Sequence, residues 1–128
     1  LVAIGIIGIL SSFLLANFVG VRQRARDGVR KSDLRQIQSA LELYRSDQGA
    51  YPTSLLACGG ALTDGGSPPV TYMQKIPCDP STNFPYGYSS PAGATYSISA
   101  CLENGNDPQK DSINACANPL VSLTLQNP

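Results

Sequence analysis

Hydrophobic residues divide the chain into three zones. The first, Leu1–Val21, reads LVAIGIIGILSSFLLANFVGV and contains neither charge nor proline. As a helix rising 1.5 Å per residue it measures roughly 32 Å, enough to cross a hydrocarbon core of ~30 Å. In the second zone apolar positions become periodic. Ala25, Val29, Leu34, Ile37, Leu41 and Tyr44 recur at steps of mostly three and four, the period of a helix with one stripe to cover. Gly49 suits the position just past a helix end, and Pro52 bars resumption. The pattern predicts one helix over 1–48, apolar all round in its first half and amphipathic in its second. Asp27 with Lys31 and Glu42 with Arg45 are spaced for pairs along that helix. Gly20 and Gly28 are its weak points, at about 1 kcal/mol each relative to alanine.

The third zone starts at residue 49 and is rich in Gly, Pro, Ser and Thr up to about residue 85. It reads as loop, with a short helical turn expected over Thr53–Ala57 and irregular chain around Pro77, Pro80 and Pro85. Strand signals follow over residues 86–128. Tyr86 and Tyr88 alternate with small residues. Tyr96, Ile98, Ala100 and Leu102 share one face, Cys101 the other, and Val121, Leu123 and Leu125 alternate again. The apolar strand faces are expected to cover Leu34, Ile37, Leu41 and Tyr44. The predicted class is α+β, a long N-terminal helix with a small antiparallel sheet laid over its C-terminal half. Its expected parts are a membrane or filament-core segment 1–21, an amphipathic continuation 22–48 and a head 49–128.

Within the first zone, Gly8, Ser12, Ala16 and Gly20 stand four apart, on one ridge of a helix. Small residues there let another backbone approach, and close packing is a main source of helix association in lipid. Ile4, Ile7, Leu14 and Phe18 are the bulky residues expected to pack in the same contact.

Charge and cysteine content refine this picture. Net charge is zero, but residues 1–48 carry seven Lys/Arg against four Asp/Glu, and residues 49–128 carry two against five. Six of the cations lie between Arg22 and Arg35. The four cysteines, Cys58, Cys78, Cys101 and Cys116, show no CxxC spacing, and the chain has no histidine, so no zinc pattern is present. An even number in a small loop-rich domain reads as two disulfides in an oxidising compartment. Of the three possible connectivities, Cys58–Cys78 with Cys101–Cys116 is the one expected: the first closes a stretch that buries little, and Cys101, on the strand face away from the core, points towards the loop that holds Cys116. Cations just after a span favour the cytoplasmic side, against the cysteines. A more basic leader before Leu1 would reconcile the two.

The start of the chain resembles the mature start of type IV pilins and type II secretion pseudopilins, read from a few residues inside. Ile4–Leu10, IGIIGIL, followed by Asn17 and Gly20, carries the likeness. Further matches are Asp33-Leu34, Ala40-Leu41, Tyr44, Asp47 and Gly49-Ala50-Tyr51-Pro52-Thr53. The run from Tyr72 to Pro80, YMQKIPCDP, with Tyr86, is similar to the major pseudopilin pattern. The likeness covers residues 1 to about 102. It implies a subunit that waits in the inner membrane and polymerises through its N-terminal helix into a bacterial filament. A prepilin peptidase, a platform protein and an assembly ATPase are the implied partners, and residues before Leu1 are implied to include a glutamate used in docking. Ala16 stands where many relatives have proline. The cysteines lie outside the major pseudopilin pattern and favour a surface pilus, so the expected function is a major pilin. A type II secretion pseudopilin is the alternative, and a membrane-anchored binding module that never polymerises the further one.

No catalytic constellation stands out, since without histidine a Ser-His or Cys-His nucleophile is excluded; no enzyme is expected. The loop holding Glu103, Asp107 and Asp111 gathers oxygen ligands in the manner hard cations prefer. Major pseudopilins bind calcium in a comparable late loop, so calcium is weighed there, with a solvated turn as the expected outcome and no cofactor otherwise. The basic run Arg22, Arg24, Arg26, Arg30 and Lys31 offers phosphate contacts. Its expected use is at lipid headgroups or between subunits, with DNA contact the lesser expectation.

Overall fold

The computed structural model describes residues 1–55, 57–113, 116–117 and 119–128, without the Ala16 side chain. One helix, α1, runs from Val2 to Gln48, roughly 70 Å at the usual rise. It stops at Gly49, whose φ of 78° is the left-handed conformation that suits glycine, and the Gly49 N–H caps the Arg45 carbonyl. The chain then folds back along the helix. Strands β1 (Leu62–Thr63) and β2 (Thr71–Met73) form a small antiparallel hairpin. Strands β3 (Gly87–Ser89), β4 (Ser97–Leu102) and β5 (Val121–Gln126) form an antiparallel sheet in the order β3-β4-β5. The register pairs Tyr88 with Ile98 and Ala100 with Leu123.

Alternation along β4 decides which face meets the helix. Tyr96, Ile98, Ala100 and Leu102 are buried, against Leu34, Ile37, Ala40 and Leu41 of α1. Each large aliphatic side chain taken out of water there stabilises the fold by about 1.5–3 kcal/mol. Tyr51, Leu62, Ile76 and Tyr86 complete the core. Tyr44 lies at its margin, edge-on to Tyr72 at 5.1 Å. Disulfides join Cys58 to Cys78 and Cys101 to Cys116.

The structure corrects two local expectations. The hairpin β1–β2 lies within a stretch read as loop, and residues 53–54 form bends where a helical turn was expected; Leu56 lies outside the described residues. The third correction concerns phase. Ala25 and Val29 are exposed, while Asp27 and Arg30 are 2% and 3% exposed. The buried stripe therefore runs Asp27, Arg30, Leu34, Ile37, Leu41, in steps of three and four. The apolar reading slipped by one residue at Val29 and two at Ala25 because charges occupy the inward positions there.

Candidate functional site

Two features follow from this helix: a bare apolar half and a charged collar where the head begins. The described side chains from Leu1 to Val19 are all exposed. The apolar window is long enough to cross a membrane, and none of it is buried within the chain. Its few polar groups are satisfied locally. Ser11 and Ser12 hydroxyls donate to the Ile7 and Gly8 carbonyls at 2.7 and 2.9 Å, and Asn17 donates to the Phe13 carbonyl at 3.4 Å. In an apolar medium such internal satisfaction is the condition for burial. A Cβ added at Gly8 or Gly20 would meet nothing within 4 Å. Nothing inside the molecule therefore requires glycine at those positions. Ile4, Ile7, Leu14 and Phe18 are exposed beside the ridge; the Arg22 guanidinium lies 4.4 Å over the Phe18 ring. The Ala16 side chain, a fourth ridge position, lies outside the described residues.

The collar begins at Asp27. Its carboxylate accepts the Glu103 and Asn104 backbone N–H groups at 2.9 and 2.8 Å and the Arg30 guanidinium at 2.8 Å. Arg30 also donates to Asp79 at 2.6 Å, Glu103 at 2.9 Å and the Ser81 hydroxyl at 2.8 Å. Arg26 holds Glu103 through two bonds of 2.7 and 2.5 Å, and Lys31 holds Asp107 at 2.6 Å. The Arg26 bonds bring the Glu103 carboxyl down to about 2, against the opposing effect of burial. Burial pulls the Arg30 guanidinium down, but Asp79, Glu103 and Asp27 outweigh it and hold its pKa above the ordinary value. Burial likewise raises Asp79, and its bonds to Arg30 and to the Ser81 and Thr82 amides reverse the direction. One turn higher, the Tyr86 hydroxyl donates to buried Asp33 at 2.6 Å; burial, then this carboxylate, push the phenol up.

The collar replaces the local pairings read along the helix. Lys31 goes to Asp107 instead of Asp27, and Glu42 and Arg45 both bond the Tyr51 hydroxyl. It also absorbs three of the five cations weighed for phosphate contact, leaving Arg22 and Arg24 exposed. The calcium candidates turn to different partners: Glu103 to Arg26 and Arg30, Asp107 to Lys31, and Asp111 to the Ser122 hydroxyl. As placed they do not form one ligand set. Among the described residues, no group of three or more His, Cys, Asp or Glu side chains is placed to hold a metal ion.

A protruding apolar helix locked to a small β-rich head is the architecture that the residue pattern predicted, and comparison with known proteins decides the family. A family model described as type II secretion system (T2SS), protein G, matches residues 17–117. The chain belongs to this family. Among its relatives, the type II secretion system core protein G of Vibrio cholerae is 30% identical over 97 residues, covering 71% of this chain and 66% of the relative. That of Klebsiella michiganensis is 31% identical over 87 residues, covering 62% and 61%. That of Pseudomonas aeruginosa is 29% identical over 123 residues, covering 87% and 86%. Against the first two, the chain spans just under two thirds of the relative's length. No solved structure matches significantly. The expectation of a pilin-class subunit holds at the level of the family. Within it, the comparisons side with the secretion-system protein, the major pseudopilin, over the surface pilin that the cysteines favoured.

The collar is what the sequence reading missed. Its signal lay in the phase of the stripe: Asp27 and Arg30 continue the three-four spacing of Leu34, Ile37 and Leu41, and a charge in a buried phase needs a partner.

Proposed function

We propose that the chain is a structural subunit without catalytic activity, a major pseudopilin anchored in the inner membrane and polymerising through α1. Residues 1–21 would serve first as the span and then as the filament core, 22–48 as the stem, and 49–128 as the head facing outward. The observation that carries this reading is the apolar half of α1, continuous with the stem and covered by nothing in its own chain. In lipid the apolar side chains gain nothing by leaving acyl chains for one another, so assembly draws on close packing at the Gly8–Ser12–Ala16–Gly20 ridge and on contacts between stems and heads. The two disulfides support a head on the oxidising side of the membrane. A prepilin peptidase, a platform protein and an assembly ATPase are the partners this role requires.

Electron microscopy of material sheared from cells, with mass spectrometry of the same fraction, tests the proposal. Thin fibres made mainly of this chain, abundant on overexpression and short at native levels, are expected. A chain that stays monomeric in the membrane under both conditions would overturn polymerisation and leave the anchored binding module.

A further inference from the structure

The loop between β4 and β5, residues 103–120, is where the resemblance to major pseudopilins raises calcium. In this chain its carboxylates are already engaged. Arg26 donates to both Glu103 oxygens, at 2.7 and 2.5 Å, and one of them also accepts Arg30 at 2.9 Å and the Ser81 hydroxyl at 3.1 Å. Asp107 accepts Lys31 at 2.6 Å through one oxygen and the Gln109 N–H at 2.9 Å through the other. Asp111 accepts the Ile113 N–H at 3.0 Å and the Ser122 hydroxyl. Two carboxylates outside the loop are held in the same way. Asp27 accepts Arg30 and the Glu103 N–H through one oxygen and the Asn104 N–H through the other. Asp79 accepts Arg30 through both oxygens, and the Ser81 and Thr82 N–H groups through one of them. Every carboxylate oxygen of Asp27, Asp79, Glu103 and Asp107 thus has a donor from the chain itself.

We propose that Arg26, Arg30 and Lys31 are resident counter-ions for this loop, and that they close the head on the stem in place of a bound divalent cation. The inference concerns the fastening of the head and holds for the subunit whether or not it polymerises.

Charge, geometry and connection each support it. Four carboxylates, Asp27, Asp79, Glu103 and Asp107, meet three cations. The one remaining negative charge is shared among backbone and hydroxyl donors. A divalent ion entering here has to pull side chains off their partners, and it then stands close to the cations it displaced, where like charges repel. Arg30 is 3% exposed, so its guanidinium has no solvent to retreat into. Calcium also takes about 6–8 oxygens at about 2.3–2.6 Å. The two loop carboxylates nearest the stem are held apart instead: Arg30 binds Glu103 and Lys31 binds Asp107, and successive helix positions point about 100° from one another. Lastly, the Cys101–Cys116 disulfide closes the loop at its base. A covalent tie has already removed much of the freedom that a metal would otherwise restrict.

Thermal unfolding of the full chain in detergent, once in EGTA and once in about 1 mM calcium chloride, tests the proposal. The two midpoints should coincide. A loop held by calcium with micromolar affinity would separate them by about 10 °C or more, and a separation of that size overturns the inference. A second measurement addresses the stem cations directly. Lys31→Met and Asp107→Asn should each lower the midpoint in EGTA, and the double variant should lower it by less than the sum of the two, because both changes remove one contact. Additive shifts would show that Lys31 does not hold Asp107, and the assignment of the stem cations as counter-ions would fall even with coincident midpoints.

Discussion

Arg30 on the helix and Asp79 in the head meet in a two-pronged contact, 2.6 and 3.1 Å, between residues 49 apart in the chain. The cation is 3% exposed and has two further carboxylates around it. A charge so placed costs desolvation that only this geometry returns. Replacing Arg30 with methionine leaves Asp27, Asp79 and Glu103 facing one another without their shared counter-ion. The expected loss is about 3–5 kcal/mol of stability, read as a lower denaturant midpoint for the full chain in detergent. Lysine should not restore it, because a single ammonium cannot reproduce the fork.

Acid should loosen the same joint. Glu103 ordinarily titrates near 4.5 and is held at about 2 by Arg26 first, and Asp79 and Asp107 are also lowered. Carboxyls depressed in the folded state stabilise it above their unfolded values, and that contribution is lost as pH falls through the folded ones. Thermal midpoints should therefore be flat above about pH 5 and fall between about pH 4.5 and 2. Arg26→Gln should flatten that fall, since Glu103 then titrates closer to its unfolded value.

Tyr86 and Asp33 supply a neutral counterpart. Tyr86→Phe removes the donor from a buried carboxylate at 2.6 Å. The expected cost is about 1–3 kcal/mol, measured by denaturation with the fold otherwise unchanged by circular dichroism.

The disulfides stabilise the parts of the head with least core. They close separations of 20 and 15 residues. Each is worth about 3 kcal/mol in the chain-entropy model. Cys58→Ser/Cys78→Ser should lower the denaturant midpoint, and reductant should bring the unaltered chain down by at least as much.

The ridge separates folding from assembly. Gly8→Leu adds a side chain whose Cβ meets nothing within 4 Å beyond its own turn of helix. Monomer stability should be unchanged while fibres are lost. Fibres of normal yield from Gly8→Leu would remove the ridge from the assembly contact.

The sequence made the helix legible because its two signals, continuous apolarity and then period, are local. Gly49 marked its end for the same reason, and the β4 face Tyr96–Ile98–Ala100–Leu102 followed from alternation alone. The hairpin β1–β2 was not legible, being two and three residues long within a Gly- and Pro-rich stretch. The collar was hidden for a different reason. Nearest-neighbour rules paired Asp27 with Lys31, whereas the fold brings Glu103, Asp79 and Asp107 from 49 to 77 residues away. Once those arrive, a buried fork outcompetes an exposed neighbour. The same slip of phase placed Ala25 and Val29 in the core, when they lie on the exposed face of the helix.

Helix α1 passes from bare half to stem without a proline or a change of helix type, and the head is clamped along its C-terminal half. The molecule is accordingly a strut with no joint. For a subunit anchored as proposed, an axial push delivered at the foot would pass along α1 to the head, and a load met by the head would return by the same route.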